Sequence, residues 1–347
     1  MKKIVCMAVL GLVCAPAFAT NYTWSNALDD NDFSQFGNWT AVPTTFTGHT
    51  FWVDSVGDDR AVLSTDLPGQ PKNILVAHTY GKTGEMLVSG GNNSLGASCA
   101  LRVGVASGTT GASSTGTFTM TNGTLSVMDG YTTFADGGTG LRACTATVDI
   151  SGGVLNTDRI TIAQYLGDTG TLNMTGGTIN LSLGDVTPTS TGGSIRSGAG
   201  TATLNISGDA VLNTLKLGLA SGLSIKMNGG AINVLGFMAT EDYQAAVAAA
   251  GGTFSNILTD TFDFTEASIA AGTMLGKIEF NAGLFKVTGD FESLLDAAIA
   301  SGNIYTTVAG KTVDAQFADG FTTLLLVPEP MTLVILGVGS LFLRRRK

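Results

Sequence analysis

The sequence predicts an all-β body in which short strands wind into a right-handed parallel β-helix, a solenoid of stacked coils. Glycine is abundant, with 47 residues, and charged residues make up only 13% of the chain. Turns must therefore be frequent, and the composition differs from that of an ordinary globular enzyme. One segment also recurs along the chain. Its copies are residues 117–127, 147–157, 171–181, 203–213 and 224–234.

Each copy predicts two strands joined by a tight turn. From Thr171 to Met174 apolar residues alternate with polar ones, which is the period-2 pattern of a strand with one buried face. The pair Gly176-Gly177 then turns the chain into a second short strand. We expect equivalent apolar residues of the five copies to stack along the interior of the solenoid. They are Phe118, Val148, Leu172, Leu204 and Ile225.

A third strand per coil is predicted between the copies, at residues 101–104, 160–162 and 215–218. Equivalent residues of successive copies lie 30, 24, 32 and 21 positions apart. A propeller blade needs four strands and about 40 to 45 residues, so three-sided coils with corner loops of variable length fit these spacings better. The most variable loops are expected at residues 106–116, 129–145 and 185–200.

Both ends of the repeat body need caps, because a solenoid otherwise exposes unpaired strand edges. We predict an amino-terminal β cap at 20–95, parallel β-helix repeats at 96–238 and a carboxy-terminal α+β cap at 239–326. Trp24, Trp39 and Trp52 all lie in the first cap, which resembles the leading segment of secreted autotransporter-like repeat proteins. In the second cap, helices are expected at residues 241–250 and 291–300.

Residues 1–19 have the pattern of a secretory signal peptide. Lys2 and Lys3 precede an apolar stretch, and Ala17-Phe18-Ala19 forms an A-x-A site for cleavage before residue 20. We therefore predict export through the Sec route.

Four cysteines are present, and Cys6 and Cys14 leave with the signal peptide. In an oxidising compartment the remaining Cys99 and Cys144 could form one disulfide. Their Thr- and Ala-rich surroundings equally suit buried reduced cysteines. The sequence leaves both alternatives open.

The end of the chain combines three features in order. Pro328, Glu329 and Pro330 are followed by the apolar run 331–343 and by Arg344, Arg345, Arg346 and Lys347. Because the run is hydrophobic all round, it predicts a transmembrane segment whose basic end stays in the cytoplasm. At 1.5 Å per residue it spans roughly 20 Å, which is short of a hydrocarbon core of about 30 Å and favours a temporary anchor.

This tail resembles the PEP-CTERM sorting signal of Gram-negative bacteria, which an exosortase recognises through a Pro-Glu-Pro motif, a short transmembrane helix and an arginine-rich end. The resemblance covers residues 327–347. It implies processing near Pro328-Glu329-Pro330 by an exosortase-type enzyme, and delivery to the cell envelope or the extracellular space. It also implies a link to exopolysaccharide and biofilm formation, but neither a fold nor a reaction for the rest of the chain.

Charge and motif content exclude several classes of function. Without the two ends, 12 of the 18 basic and 26 of the 27 acidic residues remain, so the net charge is near −14. Such a charge argues against binding of nucleic acid or of an anionic membrane surface through a basic patch. His49 and His78 are the only histidines and match no metal motif, and no glycine pattern occurs in the strand-to-helix context that binds phosphates. We predict no cofactor and no metal.

Parallel β-helices often carry polysaccharide-degrading sites, so carboxylates beside a basic residue are candidates. They are Asp149, Asp158 and Arg159 in the repeats, and Asp58, Asp59 and Arg60 near the amino terminus. General acid-base hydrolysis needs two carboxyls about 5 to 10 Å apart, and solvated strand or turn residues are the simpler interpretation. We predict a structural or adhesive protein of a surface or matrix, not an enzyme. The alternative is a β-helix polysaccharide lyase or glycoside hydrolase.

Overall fold

A computed structural model gives the conformation of most of the chain. It describes residues 20–79, 81–96, 98–106, 113–127, 130–138, 143–181, 193–235 and 261–329. The predicted signal peptide with Ala17 and Ala19, the apolar run 331–343, Pro330 and Arg344 to Arg346 lie outside the described residues, as does the helix expected at 241–250.

The first sheet contains eight strands, all parallel to their neighbours. In spatial order they are β1 (Asn21–Thr23), β2 (Thr50–Val53), β4 (Asn73–Val76), β7 (Ala100–Val105), β10 (Tyr131–Asp136), β13 (Arg159–Ile162), β16 (Ser194–Ser197) and β19 (Lys216–Gly218). Each of the predicted coils supplies one of these strands. The third strands expected from the sequence are thereby confirmed as β7, β13 and β19.

The second sheet contains sixteen strands, and its parallel part has two halves joined by β20 (Leu223–Val234). One half is β3 (Ala61–Leu63), β5 (Thr83–Val88), β8 (Thr115–Met120), β11 (Thr145–Ile150), β14 (Thr169–Met174) and β17 (Thr201–Ile206). The other is β6 (Asn92–Ser94), β9 (Thr124–Val127), β12 (Val154–Thr157), β15 (Thr178–Leu181) and β18 (Val211–Thr214). A coil therefore places one strand in each half and one in the first sheet, which is consistent with the predicted solenoid.

The predicted interior column is confirmed. Val148 pairs in register with Phe118 on one side and Leu172 on the other, and the column continues through Leu204 to Ile225. Each of these side chains is at most 1% exposed. Because every coil buries the apolar face of the next, the coils are stabilised by stacking and not singly.

Two segments that the sequence assigns to loops contain strands. Residues 129–145 include β10, and residues 185–200 include β16. Polar residues at inward positions hide the strand pattern, because the buried Thr132 and Ser197 stand where the neighbouring strand β13 has Ile160 and Ile162.

An aromatic cluster fills the amino-terminal end of the core. Trp39 packs edge-on against Phe33 and Phe51, with ring centroids 4.8 and 4.7 Å apart, and Trp24 and Phe46 complete the group. The parallel ladders nevertheless extend past the predicted boundary at residue 95, because β1, β2 and β4 join the same sheet as the repeats.

The carboxy-terminal end changes strand direction. After α1 (Glu266–Ala270), strand β21 (Lys277–Thr288) continues the parallel stack on β20 and also pairs with β22 (Ile304–Tyr305). The helix predicted at 291–300 is observed as α2 (Glu292–Ala300). The hairpin β23 (Lys311–Ala318) and β24 (Phe321–Pro328) then packs antiparallel on β21. An antiparallel neighbour offers no template for another parallel coil, so this hairpin ends the stack.

Cys99 and Cys144 are fully buried and are not joined to each other by a disulfide. In the described ranges, no helix is long and apolar enough to cross a bilayer.

Candidate functional site

One outward face of the second sheet is covered by a ladder of amide side chains, one on each coil. Each Asn donates through Nδ2 to the side-chain oxygen of the preceding coil. The ladder runs from Asn233 to Asn213 (2.9 Å), Asn180 (2.8 Å), Asn156 (2.9 Å) and Ser126 (3.1 Å). Since each Asn binds the side chain of the preceding coil, the hydrogen-bonding groups of this face are used within the stack.

A second ladder covers the other half of that sheet and contains Asp149. Asn205 donates to Asn173 at 2.7 Å, and Asn173 donates to the Oδ1 atom of Asp149 at 2.7 Å. Further along the row, Lys226 and Glu279 form an ion pair at 3.0 Å. The hydrogen bond from Lys226 is the main reason why the pKa of Glu279 is lowered below its ordinary value. Asp149 is thus a structural acceptor in this ladder.

The sequence candidates for catalysis do not converge on one site. Asp158 lies at the corner before β13, is 3% exposed, and accepts a hydrogen bond from the backbone N–H of Gly130 at 3.2 Å. Arg159 begins β13 in the first sheet, whereas Asp149 lies on β11 in the second. Asp58 and Asp59 sit in an exposed 3-10 turn that Arg60 ends.

The outward face of the first sheet is different, because it forms a shallow depression that we call the arginine groove. Its volume is about 230 Å³. Thr133 and Thr161 are 4% and 3% exposed, so they lie at its floor, below longer side chains. The remaining lining residues are Arg102, Tyr131, Asp136, Arg159, Gln164, Tyr165 and Arg196.

Strand register explains why three arginines meet here. Arg102, Thr133, Thr161 and Arg196 are successive partners across β7, β10, β13 and β16, so they form one outward row. Arg159 lies two residues before Thr161 on the same strand and therefore points to the same side.

The charges of the groove are partly neutralised. Arg102 forms an ion pair with Asp136. The ring of Tyr131 lies between two guanidinium groups, 6.0 Å from that of Arg102 and 5.4 Å from that of Arg159, within cation–π range. Burial, followed by the positive charge of Arg196, lowers the pKa of Arg159 from its ordinary value. Tyr131 and Asp158 oppose this shift.

A buried carboxylate, that of Asp168, stabilises the corner beside the groove. Asp168 accepts hydrogen bonds from the backbone N–H groups of Tyr165 (2.9 Å), Gly137 (3.0 Å) and Cys144 (3.0 Å). Burial raises the pKa of Asp168, and these three donors oppose the rise. Asp168 thus fixes the turn that carries Tyr165 to the rim.

An aromatic stack extends the same face toward the amino terminus. Trp52 lies two strands before Arg102 in the outward row, through Leu75. Its indole stacks on His78 with centroids 4.4 Å apart and planes 11° from parallel. Burial is the main reason why the pKa of His78 is lowered.

Sequence reasoning named only Arg159 among the charged residues of this groove. Tyr131, Asp136 and Arg196 lie in the segments that the sequence assigns to loops, and Arg102 lies in the strand predicted at residues 101–104. The groove residues could have been predicted from the outward positions of the third strand in each coil. In the part of the chain that the structure describes, no group of three or more potential metal ligands occurs.

The predicted sorting motif begins at the end of the last strand. Pro328 is the final residue of β24 and pairs with Lys311, and the backbone N–H of Glu329 donates to Gly310 at 3.1 Å. The side chain of Glu329 is exposed and lines a depression of about 560 Å³ with Tyr305 and Lys311.

Comparison with known proteins returned no match to this chain among protein-family models, curated proteins or solved structures.

Proposed function

We propose that this chain is an exported structural or adhesive protein of a bacterial surface or extracellular matrix. The observation that supports the proposal most is the stack of parallel coils, in which side-chain ladders run along both halves of the second sheet. Such faces stabilise an elongated scaffold and bring together none of the carboxylate candidates. The leader at 1–19 and the tail at 327–347 supply the route out of the cell.

The coils wind right-handedly in this proposal. Parallel strands that follow one another through a crossover do so with right-handed connections in about 98% of cases, because of the twist of the strands.

The tail acts as a PEP-CTERM signal that an exosortase-type enzyme processes. Glu329 is exposed and follows directly on the last strand of the folded body, so a processing enzyme can reach it without unfolding the hairpin. Replacement of Pro328, Glu329 and Pro330 by alanine should leave the protein in the inner membrane. Leu325→Ala, at an exposed position on the same strand, is the matched control and should be released normally. Unchanged release of the triple variant would reject the sorting proposal.

The absence of turnover is tested separately. Protein incubated with acidic and neutral polysaccharides should release no reducing or unsaturated ends. Release that disappears in Asp149→Ala or Asp158→Ala would instead establish the lyase or hydrolase alternative.

A further inference from the structure

We propose that the arginine groove binds an anionic polysaccharide through the carboxylate or sulfate groups of its sugars. This inference rests on the proposed function, since only an exported protein meets such polymers. Four observations carry it: the charge of the groove, its length, the planar guanidinium groups in its lining and its aromatic rim.

The groove has a charge opposite to that of the protein. Its lining contains Arg102, Arg159 and Arg196 and one carboxylate, that of Asp136, while Asp158 and Asp263 lie close enough to Arg159 and Arg196 to act on their charges without lining the groove. The body as a whole is acidic, with 26 acidic and 12 basic residues between the two ends. A quarter of the basic residues of the body therefore meet in one depression, at an electrostatic cost that a bound anion would offset.

The arrangement is too long for one small ion. Arg102 and Arg196 are separated by three strand intervals of the first sheet. At about 4.8 Å per interval, their backbones lie roughly 14 Å apart. Arg159, on the strand next to that of Arg196, occupies the space between them. A row of cations over this distance matches a polymer with spaced charges better than a single phosphate or sulfate.

Arg102 and Arg196 would meet a ligand through their terminal guanidinium nitrogens, because their Nε atoms are too buried to be reached. In the described part of the chain, the Nε atoms of Arg102 and Arg196 are buried and have no hydrogen-bond partner. The outward rows of the second sheet contrast with this, because their amides bind each other from coil to coil. Guanidinium groups offer paired N–H donors in a planar fork, and carboxylate and sulfate oxygens accept them.

The aromatic rim suits a sugar chain. Tyr131 lies beside two of the arginines, and Tyr165 lines the opposite end of the depression. Ring faces beside polar and charged groups are the usual lining of a ligand site. Duplex nucleic acid fits less well, because its charge of one per about 1.7 Å of axis would bring many phosphates against acidic faces, whereas an acidic glycan carries about one charge per sugar.

The test measures binding of the purified full chain to polygalacturonate, dextran sulfate, neutral dextran and a 20-base-pair DNA duplex by isothermal titration calorimetry. Binding to polygalacturonate or dextran sulfate is expected, weakening as salt is added, with no heat from dextran. Stronger binding to polygalacturonate identifies carboxylates as the ligand group, and stronger binding to dextran sulfate identifies sulfates. Tighter binding to the duplex than to either glycan would overturn the proposal.

Substitutions locate the site. Arg159→Gln and Arg196→Gln should each weaken glycan binding at least about tenfold, whereas Arg60→Gln, at an exposed position in the amino-terminal turn, should change it less than twofold. Arg196→Lys retains the charge but loses the planar fork, so an intermediate loss is expected even if a Gln variant fails to fold. Equal affinity in all four variants would refute the groove as the site. Cell fractionation separates this failure from failure of the proposed function, because a protein recovered outside the cell that binds no glycan contradicts only the groove.

Discussion

Leu172→Ala tests whether the stack of coils is one cooperative core. Leu172 is fully buried and pairs with Val148 and Leu204 in the neighbouring coils. The substitution removes three carbon atoms, worth about 2.4 kcal/mol at roughly 0.8 kcal/mol per buried methylene. A cavity remains, because flanking backbones are held by ladder hydrogen bonds and cannot close it. The total loss of unfolding free energy should therefore be about 3 to 4 kcal/mol.

The assay is urea unfolding followed by far-ultraviolet circular dichroism. Thr171→Ala is the matched control, since Thr171 is the preceding residue of the same strand and points outward, and it should cost no more than about 0.5 kcal/mol. The midpoint for Leu172→Ala should fall while the slope stays constant, because the coils unfold together. A loss below about 1 kcal/mol, or equal losses in the two variants, would refute the stacked-core account.

Three further outcomes are expected. Asn180→Ala breaks two ladder hydrogen bonds and should lower the free energy of unfolding by about 1 to 2 kcal/mol. Asn233→Ala breaks one and should lower it by roughly half as much. Urea titration measures both losses. Stability should fall as the pH drops below 4.5, since the pKa of Glu279 is lowered in the folded state, and Glu279→Gln should flatten this part of the curve by less than about 1 kcal/mol. Gly116→Ala should cost about 1 to 3 kcal/mol in thermal unfolding, because a Cβ atom there would lie 2.3 Å from the backbone nitrogen of Gly104.

A specific outcome would contradict each of the predictions for Asn180, Glu279 and Gly116. Equal losses of unfolding free energy for Asn180→Ala and Asn233→Ala would show that stability does not follow the number of ladder hydrogen bonds. For Glu279, a variant with the same acid dependence as the parent protein would assign that dependence to other groups. Gly116 is paired in register with Ala146 on the next coil, so Ala146→Gly is its control and should cost only about 0.5 to 1 kcal/mol. A harmless Gly116→Ala would contradict the close approach of the coil corner.

The repeat strands could be predicted because their period is local. In the segment 169–174 every second side chain is buried, and the same alternation recurs in the other four copies, so the interior column from Phe118 to Ile225 follows from alternation alone. The helix at 292–300 also follows from local pattern. Strand β23 was not predicted, because its alternation over Lys311–Ala318 includes several exposed positions and lies at the edge of the sheet.

The arginine groove could not be assembled in this way. Arg102 and Arg196 are 94 positions apart in the chain, yet three strand intervals apart in the sheet. Loops of unequal length separate the coils, so spacing in sequence does not show which outward residues share a row. The structural role of Asp149 could not be predicted for the same reason, since the register between coils decides that Asn173 is its hydrogen-bond partner.

By itself the sequence determined the coil and its buried face, because alternation and glycine turns act over distances of a few residues. The tertiary structure alone decided the register between coils, the antiparallel closure of the stack and the meeting of three arginines over Thr133 and Thr161. The physical reason is that hydrogen bonds between parallel strands and the packing of successive coils set the register, and neither is encoded within a single coil.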